Sequence, residues 1–214
     1  FHFNAHNLVV YGRKGGDYLI SDPVFPSPVV CSGEDLARAR FARGPLSPKG
    51  RMYFLDRIPV YAEYTRGILD GISHVCRLML KTPVPLIGVR GIRFLAARMR
   101  KWPERLGREK AALVLGQVVR MKEEIGTGGG GFRFIYAAFL QEAAGIYDND
   151  EILQNCSNRL TDVGDRWRDF AVIAARICKG RAGAEDGYDR MAGILEDCAD
   201  REAGVYRELL SFTG

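Results

Sequence analysis

Residues 6–23 read HNLVVYGRKGGDYLISDP, and this stretch decides how the first part of the chain folds. Residues 6–12 and 17–22 are short runs rich in Val, Ile, Leu and Tyr, the types of residue that favour β-strands. Residues 13–16, RKGG, lie between them and supply glycines that accept positive φ in a tight turn. The stretch therefore predicts an antiparallel hairpin, and Pro23 ends its second strand because proline has no N–H to donate.

The hairpin places a histidine and an aspartate at the same end of the predicted sheet. His6 begins the first strand and Asp22 ends the second. The turn at 13–16 should bring position 6 opposite position 22 or 23. A carboxylate beside an imidazole fixes its tautomer and stabilises its protonated form, as in a nucleophile–histidine–aspartate triad. From spacing alone two interpretations stay open: a catalytic pair, or a strand-end histidine beside a turn-capping aspartate.

The chain after the hairpin continues the β region. Three prolines within 23–30 predict an extended connector. Ser32 followed by Asp35 resembles a capping box, so we expect a helix at 34–43. Residues 51–55, RMYFL, predict one more strand of the same sheet.

From residue 60 onward, apolar residues recur at helical spacing. Helices are predicted at about 60–81, 88–101, 104–125, 132–145, 149–178 and 185–212. Pro83, Pro85, Pro103 and glycine-rich stretches separate them. The order of elements predicts the α+β class, with a β domain at 1–58 and a domain of five or six helices at 59–214.

Composition and charge restrict the class of protein. The formal net charge is +5, with a pI of about 9.0, and basic residues cluster at 38–43 and 90–110. Such a field favours an acidic partner, although a solvated arginine-rich helix face is a better explanation than any one partner. No apolar run approaches the ~20 residues of a membrane-spanning helix. We expect neither a membrane nor nucleic acid as the partner.

The five cysteines are Cys31, Cys76, Cys156, Cys178 and Cys198. An odd number without a CxxC motif argues against a disulfide scaffold and against a metal site. Cys76, Cys178 and Cys198 fall on the apolar stripes of predicted helices, where we expect small buried hydrophobic residues. This use of cysteine predicts a reducing, cytoplasmic location.

The pattern HNLVVYG followed by DYLISDP resembles the second half of papain-like bacterial cysteine enzymes. The resemblance implies that His6 is a general base and that Asp22 orients it. It also implies a nucleophilic cysteine before His6, at the start of a helix that lowers its pKa. No cysteine precedes His6, and the first residue is not Met. We therefore expect an upstream segment, or a second chain, to carry the cysteine, because Cys31 follows a proline-rich connector with no helix start immediately behind it.

A second resemblance covers most of the chain. Residues 123–144 (EEIGTGGGGFRFIYAAFLQEAA), 85–103 (beginning PLIGVRGIRFLA) and 32–40 (SGEDLARAR) are similar to BtrH-type (butirosin biosynthesis protein H-like) proteins. The resemblance implies a partial papain-like antiparallel β-sheet followed by a mostly helical domain.

The same resemblance implies an acyltransferase of antibiotic biosynthesis. Its donor would be the phosphopantetheine thioester of an acidic acyl carrier protein, with no other cofactor. The acceptor would be a small, aminoglycoside-like amine. Two alternatives stay open: a cysteine peptidase or amidase on the same core, or a non-catalytic binding or scaffold protein that lacks the nucleophile.

The glycine run before the fourth predicted helix is a candidate substrate site. Consecutive glycines can present backbone N–H groups to an anion. Phe132 and Arg133 follow the run, where a nucleotide-binding loop would have Lys and Ser or Thr, so nucleotide binding is not predicted. Either the run is a tight turn in which only glycine fits, or Gly128, Gly129, Arg133 and Glu142 contact the substrate. In the second case the Glu142 carboxylate could hold an amine; alternatively, Arg133 and Glu142 form a buried ion pair.

Overall fold

The computed structural model describes residues 6–44, 47–57, 64–124, 128–148, 150–183 and 186–214. The chain divides into two units, residues 1–61 and residues 62–214. The first contains a small antiparallel sheet and the second is helical, so the predicted α+β class is confirmed. The boundary predicted at 58/59 falls on residues outside the described ranges, as do the predicted helix starts at 60, 149 and 185.

The sheet of the first unit has the order β1-β2-β3, with both neighbouring pairs antiparallel. Its strands are β1 (Val9–Lys14), β2 (Asp17–Ser21) and β3 (Val29–Ser32). The predicted hairpin is present, but its turn is confined to Gly15 and Gly16, and Gly15 has a φ of +63°. The two residues predicted as the start of the turn instead extend β1, because Lys14 pairs directly with Asp17.

The third strand is not the one predicted. Residues 51–55 form no strand, and their large side chains are exposed. The edge of β2 is occupied by Val29–Ser32 instead, where Val29 pairs with Ile20 and Cys31 with Tyr18. Both segments have strand-forming residues, but Val29–Ser32 follows β2 through a short loop. The cost of closing that loop is lower than for a segment thirty residues away.

Helix α1 (Gly33–Arg40) begins as predicted at Ser32. The Ser32 hydroxyl accepts a hydrogen bond from the Asp35 backbone N–H at 3.1 Å and donates one to the Asp35 carboxylate at 2.8 Å. The side chain therefore satisfies one of the N–H groups that a helix start leaves unpaired. The helix ends three residues earlier than the predicted residue 43, and it buries Leu36.

Seven α-helices are described in the second unit, against the five or six predicted. They are α2 (Tyr64–Lys81), α3 (Gly88–Met99), α4 (Trp102–Leu106), α5 (Arg108–Glu123), α6 (Arg133–Ile146), α7 (Glu151–Cys178) and α8 (Tyr188–Phe212). The extra helix arises because Gly107, with φ 76° and ψ 157°, divides the helix predicted at 104–125 into α4 and α5. Pro103 lies in the first turn of α4, where its missing N–H costs nothing.

The core of this unit is built around α7 and α8. Helix α7 packs against α5, α6 and α8, and α8 packs against α2, α3 and α7. The largest fully buried side chains include Trp167, Phe170, Leu160, Leu195 and Leu209. Burying each such side chain contributes about 1.5–3 kcal/mol, so these two helices hold the unit together. Among the described residues, no helix has the length and apolar content to cross a membrane.

The predicted burial of helical cysteines is correct in two cases of three. Cys76 and Cys198 are buried, but Cys178 is exposed. Cys178 is the last residue of α7, where the apolar stripe leaves the core, and its thiol donates to the Ala112 carbonyl at 3.3 Å.

Candidate functional site

The His6 and Asp22 side chains meet as the sequence predicted. The His6 Nε2 and Asp22 Oδ1 atoms lie 2.8 Å apart, within hydrogen-bonding distance. His6 stands three residues before β1, and Asp22 directly follows β2. The same carboxylate oxygen accepts the Val24 backbone N–H at 2.9 Å, so Asp22 also caps the turn that leaves β2. The contact fits both interpretations left open by the spacing, and a catalytic role for the pair stays a prediction.

The protonation of this pair follows from its hydrogen bonds. The Val24 N–H holds the pKa of Asp22 below its usual value; partial burial opposes this shift, and the bond to His6 and its charge reinforce it. Asp22 is therefore ionised at neutral pH and can only accept, so His6 Nε2 carries the proton. The other ring nitrogen, Nδ1, is consequently the basic one. It can take a proton from a thiol or an amine.

The two side chains of the pair differ in their exposure to solvent. The side chain of His6 is 37% exposed, whereas that of Asp22 is 11% exposed. The carboxylate is thus largely shielded from solvent, whereas the imidazole remains accessible to a reacting group. This arrangement is suited to a base that is oriented from behind.

Cys31 is too far along the sheet to act with His6. It is the only cysteine in the sequence of the first unit, and it pairs with Tyr18. Tyr18 precedes Asp22 by four residues, which is about 13 Å along a β-strand. Proton transfer between a thiol and an imidazole requires contact at about 3 Å. The expectation that Cys31 is not the nucleophile agrees with this geometry, but the reason given for it from the sequence was wrong, because α1 begins at Gly33, two residues after Cys31.

The glycine run forms a turn whose backbone excludes larger residues. Gly128 through Gly131 all have positive φ. A Cβ atom at Gly131 would lie 2.8 Å from Lys122 Cδ and 2.9 Å from an Arg133 guanidinium nitrogen. The Gly130 N–H already donates to the Glu123 carboxylate at 3.1 Å. These contacts explain the glycines structurally, and a substrate role for Gly128 and Gly129 stays a prediction.

Arg133 does not pair with Glu142. The two residues lie two and a half turns apart on α6, on opposite faces, and Glu142 is exposed. Arg133 is buried and makes a bidentate pair with Glu202, in which Nε lies 2.9 Å from Oε1 and Nη2 lies 2.8 Å from Oε2. Its remaining Nη1 donates to the Gly131 carbonyl at 2.6 Å.

Glu202 is the centre of this buried network and was missed by the sequence reasoning. It is fully buried on α8, and it also accepts the Trp167 Nε1–H at 2.9 Å. Burial alone would lower the pKa of Arg133, but the charge and hydrogen bonds of Glu202 outweigh it and raise that pKa above its ordinary value. A signal was present in the sequence: Glu202 stands four residues after Cys198 and four before Tyr206, on the apolar stripe of α8.

A cavity of about 690 Å³ lies in the helical unit beside this network. Its wall is mostly apolar, with contributions from Met79, Leu95 and Trp102. Lys122 also lines it, and its ammonium lies 4.7 Å from the centre of the Trp167 ring. Sequence reasoning missed this cavity and this lysine.

The electrostatics of Lys122 are unusual for a lysine. Burial lowers the pKa of Lys122 to about 8; Arg133 lowers it further, and Glu202 and Glu123 oppose the shift. In the sequence, Lys122 follows Leu115, at a spacing of two helical turns. It therefore takes a position on α5 that an apolar residue would normally occupy.

Together the fold and the site define an α+β protein with an oriented His–Asp pair in its β unit and a cavity in its helical unit. Residues 34–209 match the family model described as "Domain of unknown function (DUF4872)". The match covers most of the chain, so the chain belongs to this family. Neither the curated proteins nor the solved structures contain a match. The matched range includes Lys122 and Arg133 but begins after the hairpin that carries His6 and Asp22.

Proposed function

We propose that this protein is a thiol-dependent acyltransferase of the BtrH type, in which His6 is the general base and Asp22 orients it. The observation that carries the proposal is the 2.8 Å contact between His6 Nε2 and Asp22 Oδ1. A low pKa keeps Asp22 ionised, and the accessible imidazole presents Nδ1 as the base. The resemblance of the hairpin and of residues 123–144 to this type of enzyme supports the same assignment.

The first half of the proposed reaction loads the enzyme. A cysteine from a segment preceding His6, or from a second chain, gives its proton to His6 Nδ1. The thiolate attacks the carbonyl carbon of an acyl thioester on the phosphopantetheine arm of a carrier protein. A new C–S bond forms, the bond to the carrier sulfur breaks, and the departing sulfur takes the proton from His6. Asp22 stabilises the imidazolium in between.

The second half transfers the acyl group to an amine. The amine attacks the acyl–cysteine thioester while His6 Nδ1 accepts one of its protons. An amide forms, and the cysteine leaves as a thiol after His6 returns the proton. The acceptor in this proposal is a small, aminoglycoside-like amine. The net charge of +5 favours an acidic carrier protein as donor, and the reaction takes place in the cytoplasm.

A thiol-labelling experiment on the product of the full-length gene tests the role of His6. The purified protein is treated with iodoacetamide near neutral pH, and the labelled cysteine is identified by mass spectrometry. We expect a cysteine preceding His6 to react fastest. We further expect His6→Gln to slow its labelling by about 10²-fold or more, and Asp22→Asn to slow it too, because the base and its orienter are lost. His74→Gln, at an exposed position on α2, is the matched control and should leave the rate unchanged.

Two outcomes would decide against the proposal. If His6→Gln and His74→Gln label at the same rate, His6 does not activate a thiol. If the fastest thiol is Cys178, which is exposed, the nucleophile is not the one proposed. Either result favours a non-catalytic binding or scaffold role.

Carrier dependence separates the transferase from an amidase or peptidase on the same core. A transferase consumes an acyl-carrier thioester and gives an amide with an added amine such as an aminoglycoside. A hydrolase releases free acid and acts on simple amides without the carrier. Amide formation that requires the carrier supports the transferase; carrier-independent hydrolysis contradicts it.

A further inference from the structure

We propose that the cavity of the helical unit binds a small uncharged molecule with an apolar body, and that the ring of Phe132 packs against this molecule. The cavity is lined by residues of α2, α3, α5, α6, α7 and α8. This proposal does not depend on the acyl-transfer chemistry proposed for His6.

The greater part of the cavity wall is hydrocarbon or aromatic ring. Met79, Ile92, Leu95 and Trp102 contribute to it. The volume of about 690 Å³ is within the range of small-molecule sites. Transfer of an apolar molecule from water into contact with such a wall is favourable, because it removes apolar surface from water on both partners. The wall therefore selects an apolar body.

Two of the basic residues on the wall have opposite charges beside them within the protein. Arg133 makes the bidentate pair with Glu202. The ammonium of Lys122 lies 4.7 Å from the centre of the Trp167 ring, and the carboxylates of Glu123 and Glu202 act on its charge. An ionic ligand would lose its hydration next to charges that the protein already balances, and this loss is costly. These residues therefore favour an uncharged ligand.

The remaining charged residue on the wall does not change this preference. Arg98 is exposed, and its guanidinium lies 5.6 Å from the centre of the Phe94 ring. Water and salt screen a charge in such a position. Among the described residues no acidic side chain lines the cavity, so its wall offers a cation no carboxylate.

Phe132 has two features that point to a ligand. Its φ of +73° and ψ of −1° are left-handed, and a bulky side chain is strained in this conformation. Strained backbone of this kind clusters at ligand sites. The side chain lines the cavity and is nevertheless 57% exposed. An apolar molecule in the cavity would cover a ring that otherwise faces water.

Two fluorescent probes with the same aromatic body test the proposal. N-phenyl-1-naphthylamine is uncharged at pH 7, and 8-anilinonaphthalene-1-sulfonate carries one negative charge on the same rings. Both fluoresce more strongly in an apolar site, so each is titrated with the whole chain at physiological ionic strength. We expect the uncharged probe to bind at least about tenfold more tightly than the sulfonate, because the sulfonate must be desolvated.

A matched pair of leucine variants locates the bound probe. Leu95→Trp places a larger side chain in the cavity and should abolish binding of the uncharged probe. Leu113→Trp makes the same change on α5, at a side chain that is 72% exposed and outside the cavity, and should leave the affinity unchanged. Circular dichroism checks that each variant is folded.

Phe132→Gly separates a ligand contact from a structural role. Glycine adopts a φ of +73° without strain, so this variant should raise the midpoint of urea unfolding. It should also weaken binding of the uncharged probe by about tenfold, because the ring that packs against the probe is lost. A ring needed only for the fold would give a lower midpoint instead.

Three results would overturn the proposal. The first is a wild-type chain that does not bind the uncharged probe, or that binds the sulfonate as tightly. The second is a folded Leu95→Trp variant with the affinity of the wild type, which would place the probe outside the cavity. The third is a Phe132→Gly variant with unchanged affinity for the uncharged probe.

Discussion

The buried pair of Arg133 and Glu202 leads to a strong stability prediction. Replacing Glu202 by Leu leaves the Arg133 guanidinium buried without its counter-charge, and it removes the acceptor of the Trp167 Nε1–H. Breaking a buried pair by removing one partner costs about 3–5 kcal/mol. We therefore expect Glu202→Leu to reduce the free energy of unfolding by about 4 kcal/mol, and Arg133→Met to do the same.

The double variant should lose much less than the sum of the two. With both charges gone, the remaining cost comes from the Trp167 Nε1–H and the Gly131 carbonyl, which lose their partners. Unsatisfied buried groups of this kind cost about 1–3 kcal/mol. We expect a loss of about 2 kcal/mol in Arg133→Met/Glu202→Leu, against the roughly 8 kcal/mol that independent losses would give.

The free energies of unfolding are measured by urea titration, with tryptophan fluorescence as the signal. The matched control is the pair of Arg100 and Glu196, which is also bidentate, at 2.6 Å and 2.8 Å, but has side chains 34% and 44% exposed. Glu196→Leu should cost less than about 1 kcal/mol, because water screens an exposed pair. The reasoning is refuted if Glu202→Leu costs no more than Glu196→Leu, or if the two losses at Arg133 and Glu202 simply add.

Two further predictions concern the helical unit. Gly88→Ala should lower the free energy of unfolding in urea by about 2–3 kcal/mol, because Gly88 has a φ of +64° and an added Cβ would lie 2.3 Å from the Met79 carbonyl oxygen. The control is Gly71→Ala in α2, where an added Cβ meets nothing within 4 Å. This variant should raise the free energy of unfolding by about 0.5–1 kcal/mol. Equal effects at the two glycines would contradict the clash. Lys122→Met should raise the free energy of unfolding at pH 7 by about 2 kcal/mol, because it removes a charge that burial disfavours. This value is smaller than the full pKa shift would give, since the side chain is only partly buried. The pKa of Lys122 is about 8 in the folded chain, against 10.5 for an ordinary lysine. Between pH 8 and pH 10.5 the unfolded chain therefore binds more protons than the folded chain, so the stability of the wild type rises with pH over this interval. The advantage of the variant should therefore shrink from pH 8 to 10.5, and an advantage that stays constant would contradict this pKa.

Local signals in the sequence were sufficient for the hairpin and for its His–Asp contact. Strand-forming runs and two adjacent glycines define a short loop, and a short loop fixes which residues face each other. His6 and Asp22 are separated by only sixteen positions, so the pairing of two neighbouring strands brings them together. The bulge between Val10 and Gly12 was not predicted, although a signal was present, since a glycine inside a strand-forming run often marks a bulge.

Signals of this kind could not identify the partner of Arg133. Glu142 was a natural choice because it is close in sequence, whereas Glu202 lies 69 positions away on another helix. The contact exists only because α7 and α8 pack with particular faces together, which depends on the whole core. The same limit explains β3: two segments had strand-forming residues, and the connection to β2 decided between them.

Arg133 and Lys122 show how two basic residues beside one tryptophan can have different roles. The guanidinium of Arg133 uses its hydrogen-bonding groups within the protein, on the Glu202 carboxylate and the Gly131 carbonyl. Its burial is compensated, and it holds α6 to α8. Lys122 lowers stability wherever it is charged, because its pKa is reduced by burial that its neighbours do not fully offset. The stability measured for Lys122→Met therefore tests the contrast between the two residues: Arg133 stabilises the packing of α6 on α8, whereas the charge of Lys122 lowers the stability of the fold.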